Sequence, residues 1–461
     1  MKFRGGECEK DKLILFRGYS AKAQCIGKPS RLLSNSQTLQ KRVGAGVGKT
    51  IGSIQRSPFM ITLATNKNQR LNENNAMSSA NYIFKSNTQL RLATNRLVPL
   101  DIEKKIELIC RPPTEEVLTP QDLRKLLETE AHPIAYNGFE PSGLVHLGTG
   151  VICAYKMKDF VEAGVHFKAY LSTWHAWLNN KLGGDLALIR KAADLFRHSW
   201  IALGVPADKV EFIYSDELYD DIEFWAKTVK IAKNLTIART TRTLEIAGRK
   251  ETEAHYVSDY LYTPMQVADI FHLNVKICQL GMDQRKANVV AREIGEKIGY
   301  WKPVCVHHHL LQGLEKPKVW PIPEGQEKEA VASAKMSKSK PETCIFIYDT
   351  PAEIKQKMAK AFCPEKTVQF NPILDICKYI IFREKPVFTI ERPAKFGGTV
   401  QFQNFNELAT AYTEGKLHPQ DLKNGVAEQL VNILEPVRKY FDNNTEAKDC
   451  LETIRKAKIT R

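Results

Sequence analysis

Between Lys12 and Glu73 the chain has no aspartate and no glutamate, although lysine, arginine, serine, asparagine and glutamine are plentiful there. Hydrophobic periodicity is also poor, so residues 1–100 read as a basic, disordered N-terminal extension with too little apolar surface to offset its chain entropy. An acid-poor, serine-containing start is also how an organelle transit peptide is composed. Glu7, Glu9 and Asp11, and the lack of an arginine-rich amphipathic pattern, argue against that. The ten cysteines form no CxxC pair and no regular spacing, which excludes a zinc ribbon and a disulfide scaffold. Reduced thiols in a reducing compartment fit better. No apolar run reaches the ~20 residues of a membrane helix, so a soluble protein is expected. The word VGAGVGKT invites a phosphate-loop reading, but its first required glycine falls at Val43 and neither a strand before it nor a helix after Thr50 is evident.

What is present is enough for two or three domains: 461 residues, 43% of them hydrophobic. The net charge of +15 and a pI near 9.2 favour a polyanionic partner. From Asp101 the composition turns globular. IEKKIELI and PQDLRKLLETE read as helices, the second with Thr119 as N-cap before Pro120. Buried strands follow at PIAYNGF, HFKAYLS, VEFIYSD and VKICQLG, separated by helical patterns. That alternation predicts an α/β fold with a doubly wound parallel sheet over residues 101–348. Residues 349–461 read as a separate, mainly α-helical domain, with a turn at Gly397-Gly398 and a frayed last helix.

The stretch that organises the rest is residues 134–150, IAYNGFEPSGLVHLGTG. A strand, a glycine-containing loop with His146, and a helix N-terminus make a place for phosphate, since free backbone N–H groups and the macrodipole point at it. A second stretch, AKMSKSK at residues 334–340, sets Lys335, Lys338 and Lys340 among serines in a breaker-flanked segment suited to closing over a polyphosphate. In the YLYTPMQVADIF helix, Tyr262, Gln266 and Asp269 fall at i, i+4 and i+7 on one face. Spacing alone leaves open whether they meet partners in the core or point into a pocket. Asp283 lies just past a strand end, where a carboxylate suits a ribose hydroxyl. His307, His308 and His309 alternate faces of one strand, so they cannot share one metal, and none is expected. The basic residues Lys227, Lys230, Lys233, Arg239 and Arg242 form either a solvated helix face or an RNA-facing surface.

PSGLVHLG followed by KMSKS resembles the paired motifs of class I aminoacyl-tRNA synthetases. YNGFEPSG, GMDQRK and KFGG are similar to the tyrosyl-tRNA synthetases of the archaeal and eukaryotic cytosolic kind, and the likeness runs from about Leu118 to about Phe441. The resemblance implies a Rossmann-like catalytic domain, an α-helical anticodon-binding domain, and activation of L-tyrosine by ATP with Mg²⁺ before transfer to tRNA(Tyr). Carried over residue by residue, it gives a tyrosine pocket of Tyr136, Tyr262, Gln266, Asp269 and Gln284. Tyr136 and Asp269 would take the phenol; Tyr262, Gln266 and Gln284 would take the ammonium group. Gly138, Ser142, His146, Gly148, Asp283, Lys335, Met336 and Lys338 match nucleotide-facing positions. His146, Thr149, Lys335 and Lys338 would carry catalysis. Arg285 would face the tRNA acceptor stem, and Phe396, His418 and Asp421 the first anticodon base. A homodimer in the cytoplasm is implied, with mitochondrion or plastid the alternative if the extension is a transit peptide. Thr149 stands where the family often has a second histidine, so activity is expected to be retained with some loss. The rivals are a tryptophan-activating sister enzyme and a non-catalytic RNA-binding homologue.

Overall fold

The computed structural model describes residues 100–249, 252, 256–325 and 334–457. The extension expected over residues 1–100, the VGAGVGKT word and residues 458–461 lie outside them, Leu100 excepted. The described chain begins α1 (Ile102–Cys110), β1 (Thr114–Leu118), α2 (Pro120–Thr129) and β2 (Ile134–Phe139). Thr119 caps α2 as expected, its hydroxyl accepting from the Asp122 N–H at 3.2 Å. Then come α3 (Cys153–Glu162), β3 (His166–Leu171), α4 (Thr173–Leu178), α5 (Leu186–Ala202) and β4 (Val210–Tyr214). After α6 (Ile222–Ala232) and α7 (Ile237–Thr241), the chain runs through α8 (Asp259–His272), β5 (Ile277–Gly281), α9 (Arg285–Gly295) and β6 (Val304–His308).

The six strands form one sheet in the order β1-β6-β5-β2-β3-β4. Every pair is parallel except β1 with β6. The chain builds outward from β2 to β4, then returns to place β5 and β6 on the other side of β2. In such sheets ligands bind outside the carboxyl ends of the strands where the order reverses, here between β2 and β5. Alternating strand residues feed two cores. Ala135, Ala169, Ile277 and Val304 join one; Tyr136, Tyr170, Cys278 and Cys305 join the other, with α8 and α9. Between them a buried polar chain crosses the sheet: Asn137 Nδ2 donates to Gln279 Oε1 at 3.0 Å, and Gln279 Nε2 to His308 Nδ1 at 2.7 Å. A buried network of this kind is tolerable because its members are satisfied.

From Pro351 the chain is helical apart from a hairpin of β7 (Phe388–Ile390) and β8 (Val400–Phe402) around the Gly397-Gly398 turn. These helices share the first core with the sheet, from Leu108 to Ile454. A polar tie reinforces it: Asp159 on α3 accepts from Arg111, from Lys156 and from Arg383. TEEVL, between the first two helices, forms an edge strand. One local expectation differs from the structure. The last helix, Thr445–Lys456, is regular rather than frayed, because Ala447, Cys450, Leu451 and Ile454 bury an i, i+3, i+4, i+7 stripe that polar composition conceals.

Candidate active site

A cavity of about 740 Å³ opens at the strand ends. Tyr136, Tyr262, Gln266, Asp269 and Gln284 all line it, as do Gly138, Ser142, His146, Gly148, Thr149, Asp283, Lys335, Met336 and Lys338. The two sequence words, nearly two hundred residues apart, therefore face one space, and the polar stripe of α8 points into it.

At the closed end, Asp269 is buried, and both hydroxyls it meets fall on Oδ1: Tyr170 at 2.7 Å and Tyr219 at 3.4 Å. Its Oδ2 lies 3.8 Å from His175 Nε2. Burial pushes the Asp269 carboxyl up to about 8, and the two phenol donors pull against that rise. Burial also lowers His175 to about 4, so the imidazole is neutral. The Tyr136 hydroxyl and His175 Nε2 are buried without a hydrogen-bond partner among the described residues. A buried polar atom left unpaired costs roughly 1–3 kcal/mol, so these atoms mark where a polar ligand belongs. Nearer the mouth, Tyr262 donates to Glu140 at 3.0 Å, Gln266 to Gln284 at 3.2 Å, and Asn179 to Glu140 at 2.6 Å.

At the open end, the turn after β2 winds directly into helix. Its first residues, Gly148–Ile152, form one wide helical turn before α3. The Gly148 N–H donates to His146 Nδ1 at 3.1 Å, which places the imidazole proton on Nε2. Burial, then Lys338 and Lys335, lower His146 to about 3, so it acts as a neutral donor. Thr149 Oγ1 accepts from the His146 N–H at 3.3 Å. The hydroxyl that stands in place of a second histidine thus holds the backbone just ahead of this turn. Gly150 permits the turn to pack on the Cys344–Tyr348 strand-like segment: a Cβ there would meet Ile347 at 2.9 Å and Val145 at 3.0 Å.

The lysine loop is anchored by Met336, whose side chain is buried and whose N–H donates to Leu311 O at 2.7 Å. Lys335 pairs with Asp283 at 2.9 Å, and that carboxylate raises its pKa. Lys338 donates to Ser142 Oγ at 2.8 Å and lies 4.7 Å from the Phe196 ring centre. Burial there lowers it to about 7, with Glu140 opposing. Lys340 turns away to Glu315 at 2.7 Å.

Arg285, Phe396, His418 and Asp421 do not line the cavity. Arg285 is half exposed and bonds Glu116 at 2.9 Å. Phe396 is 57% exposed on the β7–β8 loop. Arg392 ties that loop to Gly398 O and to Lys416 O, close in sequence to His418. His418 caps the Pro419–Ile433 helix through Gln420 N, and Asp421 sits in its first turn. The three histidines part company: His307 goes to Asn288 and Glu116, His308 to Gln279, and His309 lies between Glu115 and Asp375. Of the basic residues on α6 and α7, Lys230 donates to Ile298 O and Arg239 pairs with Glu293, while Lys233 and Arg242 are exposed. Sequence reasoning missed Glu140, Asn179, Tyr170, Tyr219 and His175. Glu140 stood within NGFEPSG, and His175 within STWHAWL after the second buried strand, but neither had a local pattern to mark it.

Comparison with known proteins agrees with this geometry. Residues 128–435 match the family model of class I tRNA synthetases for tryptophan and tyrosine. A tyrosine–tRNA ligase of Thermococcus kodakarensis is 50% identical over 378 residues, covering 78% of this chain and all of that protein. Among solved structures, the tyrosyl-tRNA synthetase of Pyrococcus horikoshii in complex with L-tyrosine is 47% identical with a TM-score of 0.74, over 77% of this chain and all of that one. The tyrosyl-tRNA synthetase of Aeropyrum pernix is 40% identical with a TM-score of 0.68, over 77% and 99%. With matches of this extent and identity, the chain belongs to the tyrosyl-tRNA synthetases of class I.

Proposed function

We infer that the chain is a tyrosine–tRNA ligase, activating L-tyrosine with ATP to tyrosyl-adenylate and passing the tyrosyl group to the terminal adenosine of tRNA(Tyr). The observation that carries the choice of amino acid is the closed end of the cavity. An unpaired Tyr136 hydroxyl and the Asp269 carboxylate sit there together. A phenol OH both accepts and donates, so it serves the two at once. An indole N–H only donates and would leave Tyr136 unpaired.

Activation needs no protein nucleophile. The tyrosine carboxylate attacks the α-phosphate of ATP and pyrophosphate leaves, so the protein's part is orientation and positive charge. Tyr262, Gln266 and Gln284, with Glu140 beside them, suit the ammonium end. Gly138, Ser142, Gly148 and the neutral His146 suit the phosphates at the helix N-terminus. In the free enzyme Lys335 and Lys338 rest on Asp283 and Ser142. Bound nucleotide would offer Asp283 a ribose hydroxyl and both lysines phosphate oxygens. Mg²⁺ would travel with ATP, held by phosphate oxygens and water; among the described residues no group of three or more His, Cys, Asp or Glu is placed to hold a metal.

Three further assignments belong to the same reading. Arg285 faces the acceptor stem, and exposed Phe396 stacks on an anticodon base read by His418 and Asp421. The enzyme is a homodimer, a reading supported by exposed apolar side chains on α6 and α7: Ile222 at 78%, Val229 at 66% and Ile237 at 74% exposure. It works in the cytoplasm, as the family resemblance implies. ATP–pyrophosphate exchange across all twenty amino acids, followed by charging of tRNA(Tyr), tests the reading. Exchange with tyrosine alone is expected, and exchange with tryptophan, or with none, overturns it.

A further inference from the structure

We propose that Tyr170 is a positioning residue for tyrosine selection: its hydroxyl fixes one oxygen of Asp269 so that the other faces the substrate phenol. This deepens the reading above and rests on it. Tyr170 is fully buried on β3, on the same face of the sheet as Tyr136, with the two ring centres 6.5 Å apart. Its hydroxyl is 2.7 Å from Asp269 Oδ1, and the Tyr219 hydroxyl, 3.4 Å from the same oxygen, sits behind it. Tyr219 is in turn 3.3 Å from His175 Nδ1.

The terminal torsion of an aspartate is broad and soft. Without a fixed donor on Oδ1, the carboxylate could turn to the unpaired Tyr136 hydroxyl or to His175 Nε2 and close the space a phenol would use. With Tyr170 in place, Oδ1 is occupied and Oδ2 is presented. The same bond favours the charged carboxylate. Asp269 is faced by Tyr136 from β2, Tyr170 from β3, Tyr219 from the loop after β4, and His175 from α4. All four are neutral at physiological pH, the tyrosines raised well above their usual range and His175 lowered, in each case chiefly by burial. Among the described residues no cation supports the charge of Asp269; hydroxyl donors do. An ionised Asp269 accepts a hydrogen bond from the phenol OH, so kcat/KM for tyrosine rises with pH through its pKa. Removing a donor moves that rise to higher pH.

The test is pyrophosphate exchange with tyrosine and with phenylalanine, from about pH 6 to about pH 9, on wild type, Tyr170→Phe and Tyr219→Phe. A hydrogen bond to a charged group is worth roughly a 10- to 100-fold change in equilibrium. Tyr170→Phe is expected to raise KM for tyrosine about tenfold near neutrality, to shift the pH midpoint upward, and to leave kcat within about twofold. Tyr219→Phe, which loses the longer bond, shifts the midpoint the same way by less. If Tyr170→Phe proves too unstable to assay, the midpoint of Tyr219→Phe decides, and no shift overturns the proposal. Unchanged KM and midpoint in Tyr170→Phe, whatever its melting temperature, also overturn it. That failure is separable from failure of the functional reading, in which wild type itself would not activate tyrosine.

Discussion

The closed end of the cavity and its open end hold charge in opposite ways. Around Asp269 the neighbouring side chains among the described residues are neutral and buried, and hydroxyl donors alone oppose the burial that raises its carboxyl. Around Asp283 the groups are partly exposed, and charge meets charge directly in the Lys335 ion pair. Exposed pairs are worth little and exchange partners readily; buried hydrogen bonds are worth more because leaving them unmade is costly. The difference suits a division of labour. The sealed end distinguishes one amino acid from another, and the open end lends its cations to phosphate and takes them back.

The most severe way to break this comparison is Asp269→Ala. Tyrosyl-tRNA synthetases are the standard instance of a site that rejects an analogue lacking a hydroxyl, with discrimination of about 10⁴–10⁵ against phenylalanine, a figure known for these enzymes. Most of that preference is expected to vanish here. The melting temperature is expected to change by only a few degrees, because relief of a buried carboxyl raised to about 8 offsets the cost of leaving the Tyr170 and Tyr219 hydroxyls without their acceptor. Its folded-state pKa lies above the unfolded value, so the folded protein holds the extra proton and loses stability as pH climbs from about 4 to about 8. Steady-state exchange with both amino acids, beside thermal melts across that window, measures both effects. A variant that still rejects phenylalanine as wild type does would show that Asp269 does not read the hydroxyl.

A second test sharpens the open end. Lys335→Ala and Lys338→Ala are each expected to slow adenylate formation by roughly 10²–10³, the usual cost of removing one preorganised charge donor. Tyrosine affinity should stay within about threefold, because the charge is used mainly in the transition state. Single-turnover kinetics with separately measured tyrosine binding distinguishes the two quantities. A variant that loses tyrosine affinity and rate together would mean that the loop shapes the whole cavity rather than its phosphate end.

The open end was far more legible in the sequence than the closed end. HLGTG and KMSKS are contiguous words whose residue types announce phosphate chemistry, and a strand–loop–helix pattern says where they go. The α8 stripe of Tyr262, Gln266 and Asp269 was visible as periodicity, but its direction depended on which face met the sheet. Tyr170 and Tyr219 were not visible at all. Each sits in a run that reads as ordinary core, and each matters only because β3 and the β4 loop bring it to Asp269 across 99 and 50 residues of chain. The same holds for β1, whose Glu115 and Glu116 pair with His309, just past β6, and His307, on β6, more than 190 residues away. Pairing at that range leaves no local trace.

Thr149 tests the comparison most finely, because it lies at the open end yet is hydrogen-bonded like the closed one. Its hydroxyl accepts from the His146 N–H at 3.3 Å and is 3.5 Å from the His146 carbonyl oxygen. The first contact is one hydrogen bond to the backbone ahead of the helical turn, worth about 1 kcal/mol; the second is too long to count for much. Thr149→Val keeps the volume and removes the hydroxyl. If Thr149 serves only to hold the turn, the melting temperature falls by a few degrees and KM for ATP is unchanged. If the hydroxyl also turns to phosphate, adenylate formation slows by a further factor of roughly five, one neutral hydrogen bond's worth. The expected result is both: a small loss of stability and a small loss of rate. A rate equal to wild type would leave His146 and the helix N-terminus as the whole of the phosphate contact on this side, and Thr149 as structure alone.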